Sequence, residues 1–165
     1  MKTTTRSNIY LPMAALILTA ALAIPATAQQ QVPFKGTFQG KDAVNPPTIT
    51  TTGGGTGTLL GEFSFTQVTT LNSQTTGTGS AHWVAANRDS IDSTSVVSAD
   101  FSTHSLGYIT VTEIHTITGG TGRFAGAQGN FVLERTHIVA LSADGTTHVT
   151  FGSFHGTITP PGEAH

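Results

Sequence analysis

The chain of 165 residues contains no cysteine. That excludes a disulfide framework, zinc–thiolate sites, iron–sulfur clusters and a cysteine nucleophile. Charge is scarce as well, with Asp, Glu, Lys and Arg making up only 10% of the residues. After residue 28, five basic side chains (Lys35, Lys41, Arg88, Arg123 and Arg135) face nine acidic ones, a net charge of −4. No basic patch is available to neutralise phosphates, which argues against nucleic acid and against anionic membrane surfaces as partners. Beyond residue 28 no segment keeps a helical period, and no apolar run is long enough to span a bilayer.

The one long apolar run, Ile9 to Ile24, follows Lys2 and Arg6 and leads into the small-x-small sequence Ala26-Thr27-Ala28. This is the pattern of a secretory signal peptide rather than a membrane span, because the run is short and Pro12 interrupts it. Residues 1–28 are therefore expected to be removed and the protein to be exported, to the periplasm or the medium, with no membrane association afterwards. Taking 28 from 165 leaves 137 residues, one domain's worth.

What those 137 residues hold in excess is glycine and threonine. All 19 glycines and 26 threonines lie after Ala28. Threonine is stiff at its β-carbon and suits strands, whereas glycine suits turns, so the composition reads as all-β. Strand-like runs are predicted at about 57–69, 75–86, 90–102, 106–118, 129–141 and 146–159, after a short strand from Phe34 to Gln39. Turn residues divide them: Asn72-Ser73, Asn87-Arg88-Asp89, Gly107, Gly119-Gly120 and Asp144-Gly145. Asp42 to Gly57, with Asn45-Pro46-Pro47 and Gly53-Gly54-Gly55, reads as a loop. The expected organisation is a flexible segment over 29–56 carrying one short strand, a domain over 57–160 and a tail over 161–165. Seven or eight strands in sequential hairpins fit a small closed barrel or a sandwich.

The most specific stretch is Ile117 to Gly129. Gly119, Gly120 and Gly122 permit positive φ, Phe124 is the single large apolar plug, and Gly126 and Gly129 permit a second bend. A phosphate cradle is rejected, since no Gly-Lys-Ser/Thr follows and no helix begins here. The stretch reads instead as a rigid connection at the end of a barrel.

Thr118-Gly119-Gly120-Thr121-Gly122-Arg123-Phe124-Ala125-Gly126-Ala127-Gln128-Gly129 resembles the corresponding segment of the allene oxide cyclases, and dirigent proteins carry a similar Gly-Gly-Thr-Gly motif before a strand. With Glu113-x-His115-Thr116-x-Thr118 before it and Phe131-x-Leu133-Glu134-Arg135 after it, the chain resembles more closely a group of small exported bacterial proteins with a cyclase-like barrel and no established activity. The likeness covers about 57–159 and is strongest over 110–136. It implies an eight-stranded antiparallel β-barrel, a trimer, and an isomerase or cyclase acting on an oxidised lipid-like substrate. The plant cyclases place a proline in the first long strand. Leu59-Leu60-Gly61-Glu62-Phe63 has none, so no catalytic residue carries over by position.

Strand alternation assigns faces. Val111, Glu113, His115 and Ile117 share one face; Phe131, Leu133, Arg135, His137, Val139 and Leu141 share the matching one. Pairing Ile117 with Phe131 puts His115 opposite Leu133, Glu113 opposite Arg135 and Val111 opposite His137. A one-residue shift would set Glu113 against Glu134, a like-charge pair. An Asp144-Gly145 turn then brings His148, Thr150, Gly152 and Phe154 to the same face. Because bulky residues fill small barrels, this face is taken as the lumen and the Thr-rich face as the outside.

The polar centre of that face has two readings. Glu113 and Arg135 can be a buried ion pair completed by histidines, which burial of an arginine demands whatever the function. Alternatively the lumen is a small-molecule site, with Glu113 or His115 moving a proton and Arg135, His137, His148, Phe131, Leu133 and Phe154 contacting a small apolar ligand. A zinc site on His115, His137 and His148 is disfavoured, because no local His-x-x-x-His spacing occurs, and no cofactor is implied. No Gly-x-Ser-x-Gly elbow supports a serine nucleophile. Trp83 reads as a packing residue, and His82 and His104 as surface residues. The leading expectation is an exported barrel that binds a small apolar ligand. The alternatives are the cyclase-type isomerase and an oligomeric structural protein with a filled lumen.

Overall fold

A computed structural model describes residues 30–139 and 146–159. The signal-peptide pattern, Leu141, the Asp144-Gly145 turn and His165 lie outside the described residues. Eight strands run in sequence: β1 (Val32–Asn45), β2 (Thr48–Gly57), β3 (Gly61–Leu71), β4 (Thr76–Ala85), β5 (Ser90–Asp100), β6 (Tyr108–Gly120), β7 (Gly129–Ile138) and β8 (Thr147–Ile158). Each pairs antiparallel with its sequence neighbour, and β1 pairs with β8, so the sheet closes into a barrel with no edge. Among the described residues the remaining regular structure is two short 3₁₀ turns, His104–Leu106 and Gly122–Phe124.

The expected loop over Asp42–Gly57 is overturned. β1 continues to Asn45 and β2 begins at Thr48, so only Pro46-Pro47 forms the turn. The barrel therefore starts at Val32, not at residue 57, and residues 32–56 are structural staves. Prolines are harmless at a hairpin tip, where no ladder bond is needed. The glycines fit a close approach of neighbouring backbone and, at Gly53, of a ring. Phe38, Gly55 and Phe63 stand in one inward row, and Gly53 faces Phe65 in the next. A Cβ on Gly53 would lie 2.8 Å from the Phe65 ring. In so narrow a barrel, small residues leave the room that rings occupy.

Burial alternates along the strands other than β2, and the faces of β6, β7 and β8 agree with the sequence reading. Thr110, Thr112, Thr116 and Thr118 of β6 point outward; Val111, Glu113, His115 and Ile117 point in. The expected register does not hold. His115 pairs with Phe131, Glu113 with Leu133 and Val111 with Arg135, two residues from the expected alignment. A two-residue slip preserves the face of every side chain, so hydrophobic alternation cannot detect it. The connection itself decides the register. β6 extends to Gly120 and β7 begins at Gly129, with Ile117 against Gly129.

The interior has two unequal halves. Seven rings (Phe34, Phe38, Phe63, Phe65, Trp83, Phe131 and Phe154) fill the half nearest the β6–β7 connection, all 6% exposed or less. Trp83 stacks on Phe65 with centroids 5.0 Å apart. The connection seals this end with Phe124, fully buried in the same cluster. Gly122 and Gly126 take left-handed φ values of 57° and 72°. Gly120 does not, contrary to expectation; a Cβ there would come within 3.0 Å of Phe124. Arg123 ties the cap down by donating to the Leu59 carbonyl at 2.5 Å and pairing with Asp89 at 3.3 Å. The other half carries a smaller cluster, Val97, Ile109 and Val111.

Candidate functional site

Between the two halves the inward positions turn polar. Asp42 from β1, Thr51 from β2, Gln67 and Thr69 from β3, Ser93 and Ser95 from β5, Glu113 and His115 from β6, Arg135 and His137 from β7 and Thr150 from β8 are all buried. They form a belt across the waist of the barrel, and Arg135 is its centre. Its Nη1 donates to both oxygens of Asp42 at 3.0 Å. Its Nε lies 2.8 Å from Glu113 Oε1 but out of line for a hydrogen bond, so that contact is ionic. Since Glu113 faces Leu133 in the ladder, the pair is made diagonally across the hairpin.

Each carboxylate has further partners. Asp42 accepts from Thr51 Oγ1 at 2.5 Å and lies 2.5 Å from His137 Nδ1. Glu113 accepts from Gln67 Nε2 at 2.5 Å and lies 3.3 Å from His115 Nε2. Trp83 Nε1 donates to Ser93 Oγ at 3.2 Å, and that hydroxyl meets His115 Nδ1 at 3.0 Å. Ser93 can donate to Nδ1 while His115 Nε2–H faces Glu113, so one proton on the ring completes the chain.

Burial opposes ionisation of Asp42. The His137 hydrogen bond, the Arg135 charge and the Thr51 hydrogen bond outweigh it and hold the carboxyl below its ordinary value. Burial likewise opposes ionisation of Glu113, and Arg135, His115 and Gln67 together push it below its ordinary value. Burial disfavours the charged Arg135, but Glu113 and Asp42 more than offset this and raise its pKa. The belt thus contains two carboxylates and one guanidinium, all ionised.

On the side away from the aromatic core, a cavity of about 200 Å³ opens in the barrel. Ile49, Leu71, Val97, Ile109 and Val111 form its wall, and Arg135, His137 and His148 supply its polar lining. His148 is half-buried, and its Nδ1 lies 2.5 Å from His137 Nε2. A larger hollow of about 650 Å³ lies on the outer surface around Thr37, Gly54, Glu62 and Phe151, but none of the belt's charged groups reaches it.

Comparison with family models, with curated proteins and with solved structures finds no match to the chain.

The structure gathers the expected residues unevenly. Arg135, His137 and His148 line the cavity. Glu113 and His115, expected to move protons, have no exposure and do not line it. Phe131, Leu133 and Phe154, expected to contact ligand, are packed in the closed aromatic half. The three imidazoles do not converge: His137 and His148 bond to each other, whereas His115 stacks on Phe131 at 4.5 Å. Trp83 is fully buried, and His82 and His104 are exposed.

Sequence reading missed Asp42, Thr51, Gln67, Thr69, Ser93 and Ser95. The signal for Asp42 was present, since Phe34, Phe38 and Asp42 share one parity and continue the Phe34–Gln39 strand inward. The prolines and glycines that follow masked it.

Proposed function

We propose that the protein binds a small amphipathic molecule in the open half of the barrel. Its apolar body lies against Val97, Ile109 and Val111, and its polar head meets Arg135, His137 and His148. The observation that carries this reading is the cavity itself, an apolar wall above convergent polar groups, which is the usual form of a small-molecule site. At about 200 Å³ it is somewhat larger than the roughly 150 Å³ cavity that accepts benzene, so it suits one ring or a short branched chain. An oxidised lipid-like substrate is too long to be enclosed. The cyclase-type alternative also loses support because Glu113 and His115 stand outside the cavity. A binding role agrees with the export expected from the leader and with the cyclase-like barrel that the resemblance implies.

Titration with benzyl alcohol, followed by two-dimensional NMR, tests the reading. Shift changes should concentrate at Val97, Ile109, Val111 and His137, and Ala99→Trp, which fills the cavity, should abolish them without unfolding the barrel. Saturating benzyl alcohol that moves no cavity resonance, or moves only outer-face ones, would overturn it.

A further inference from the structure

We infer that the cavity selects a small uncharged carbonyl compound, of the cyclic ketone or lactone class, whose oxygen accepts a hydrogen bond from Arg135 Nη2. The inference rests on the binding reading above and names the head group.

A guanidinium presents its N–H groups in one plane and accepts nothing. Two of the three Arg135 nitrogens are committed. Nη1 donates to both oxygens of Asp42 at 3.0 Å and to Thr150 Oγ1 at 3.4 Å. Nε is sealed against Glu113 Oε1 at 2.8 Å. Nη2 hydrogen-bonds to none of the described residues and, unlike Nε, is not sealed. The side chain points inward and lines the cavity, so the 5% exposure it keeps opens there. Nη2 is thus a donor set against the apolar wall of Val97, Ile109 and Val111, which offers no side-chain acceptor. A buried donor left without a partner is costly, so an occupant that shuts water out of the cavity must bring an acceptor.

The neighbouring polar groups do not take this role. His137 has both ring nitrogens engaged inside the protein, with Asp42 and with His148. Gln74 and His104 belong to the turns at the open end and are exposed. Local charge then selects among acceptors. Arg135 already faces two ionised carboxylates, Asp42 and Glu113. A ligand carboxylate would add a third negative group around one guanidinium in an interior that screens poorly. An ammonium head would meet a donor, because neither carboxylate lines the cavity. A hydroxyl can accept, but it also carries a proton that the apolar wall cannot receive. A carbonyl only accepts, as the guanidinium only donates.

The test compares cyclohexanone with methylenecyclohexane, the same shape with CH2 in place of oxygen, by NMR titration of the protein. Cyclohexanone should bind at least about tenfold more tightly and should shift the Arg135 side-chain N–H resonances. The infrared carbonyl stretch of the bound ketone should move from its alkane frequency to that in water or beyond, because the donor is charged. These readouts need no substitution of Arg135, which the fold requires. Equal or tighter binding of methylenecyclohexane, unmoved Arg135 resonances, an alkane-like stretch, or tighter binding of cyclohexanecarboxylate than of cyclohexanone would overturn the inference. Cavity shifts from benzyl alcohol or methylenecyclohexane with none from cyclohexanone sink this inference alone; if no compound moves a cavity resonance, the binding reading falls as well.

Discussion

At the residue scale, Arg135 holds the interior charges together. It faces Asp42 from β1 and Glu113 from β6, and both are buried with no exposure. Arg135→Met should therefore destabilise the fold by about 3–5 kcal/mol, because two carboxylates lose their counter-charge in a low-dielectric interior. Denaturant unfolding would measure this, and an unchanged midpoint would mean the pairs are solvated. Lysine is not an adequate substitute, since a single ammonium cannot meet Asp42 and Glu113 in two directions. The same pairs set the acid response. The ordinary values are 3.8 for Asp42 and 4.5 for Glu113, and both are lowered in the fold. Their stabilisation is fully present above those ordinary values and is lost as the pH falls through the lower folded ones. Melting temperature should hold steady down to about pH 5 and then drop, with a shallower drop in Asp42→Asn and Glu113→Gln. Glu113, His115, Arg135 and His137 were legible as inward residues from parity alone. That Glu113 is a sealed partner of Arg135 rather than a group lining the cavity was not.

At the element scale, β1 and β2 show how far composition can mislead. Gly53-Gly54-Gly55 after two prolines carries every local mark of a loop, yet it is paired on both sides. The physical reason lies in the neighbouring strands, whose backbone carbonyls (Gln39 against a Cβ on Gly53, Thr37 against one on Gly55) and whose Phe65 and Phe154 rings take the space a side chain would need. A Cβ on Gly36 would stand 2.6 Å from the Phe154 ring. Gly36→Ala should thus cost about 1–3 kcal/mol through overpacking, and Phe154→Leu should cost less in the Gly36→Ala background than alone. A double-mutant cycle by chemical denaturation checks the coupling; purely additive costs would show that the ring does not respond to the glycine. The β6–β7 connection was easier to read, because Phe124 was its one large apolar residue and is its plug. The hairpin register was not, since a two-residue slip leaves the same residues facing inward.

At the scale of the whole molecule, the barrel is filled at one end and hollow at the other. Phe124→Ala at the closed end should cost about 3–5 kcal/mol, whereas Ala99→Trp at the open end should barely move the melting temperature. The single tryptophan, Trp83, stands fully buried in the packed half. Its fluorescence change should coincide with loss of far-ultraviolet circular dichroism, because closure leaves no strand able to detach alone. Separate transitions would point to independent halves.

Alternation has a period of two residues and needs no partner, so the sequence by itself determined the strands from β3 to β8, the inward face of β6 to β8 and the polar centre of that face. Closure decided the rest. Asp42 and Arg135 are 93 positions apart, and they meet only because β1 returns to pair with β8. Which charges share a partner, which are sealed and which line the cavity depends on barrel stagger and on the volume of distant rings, neither of which a local pattern encodes.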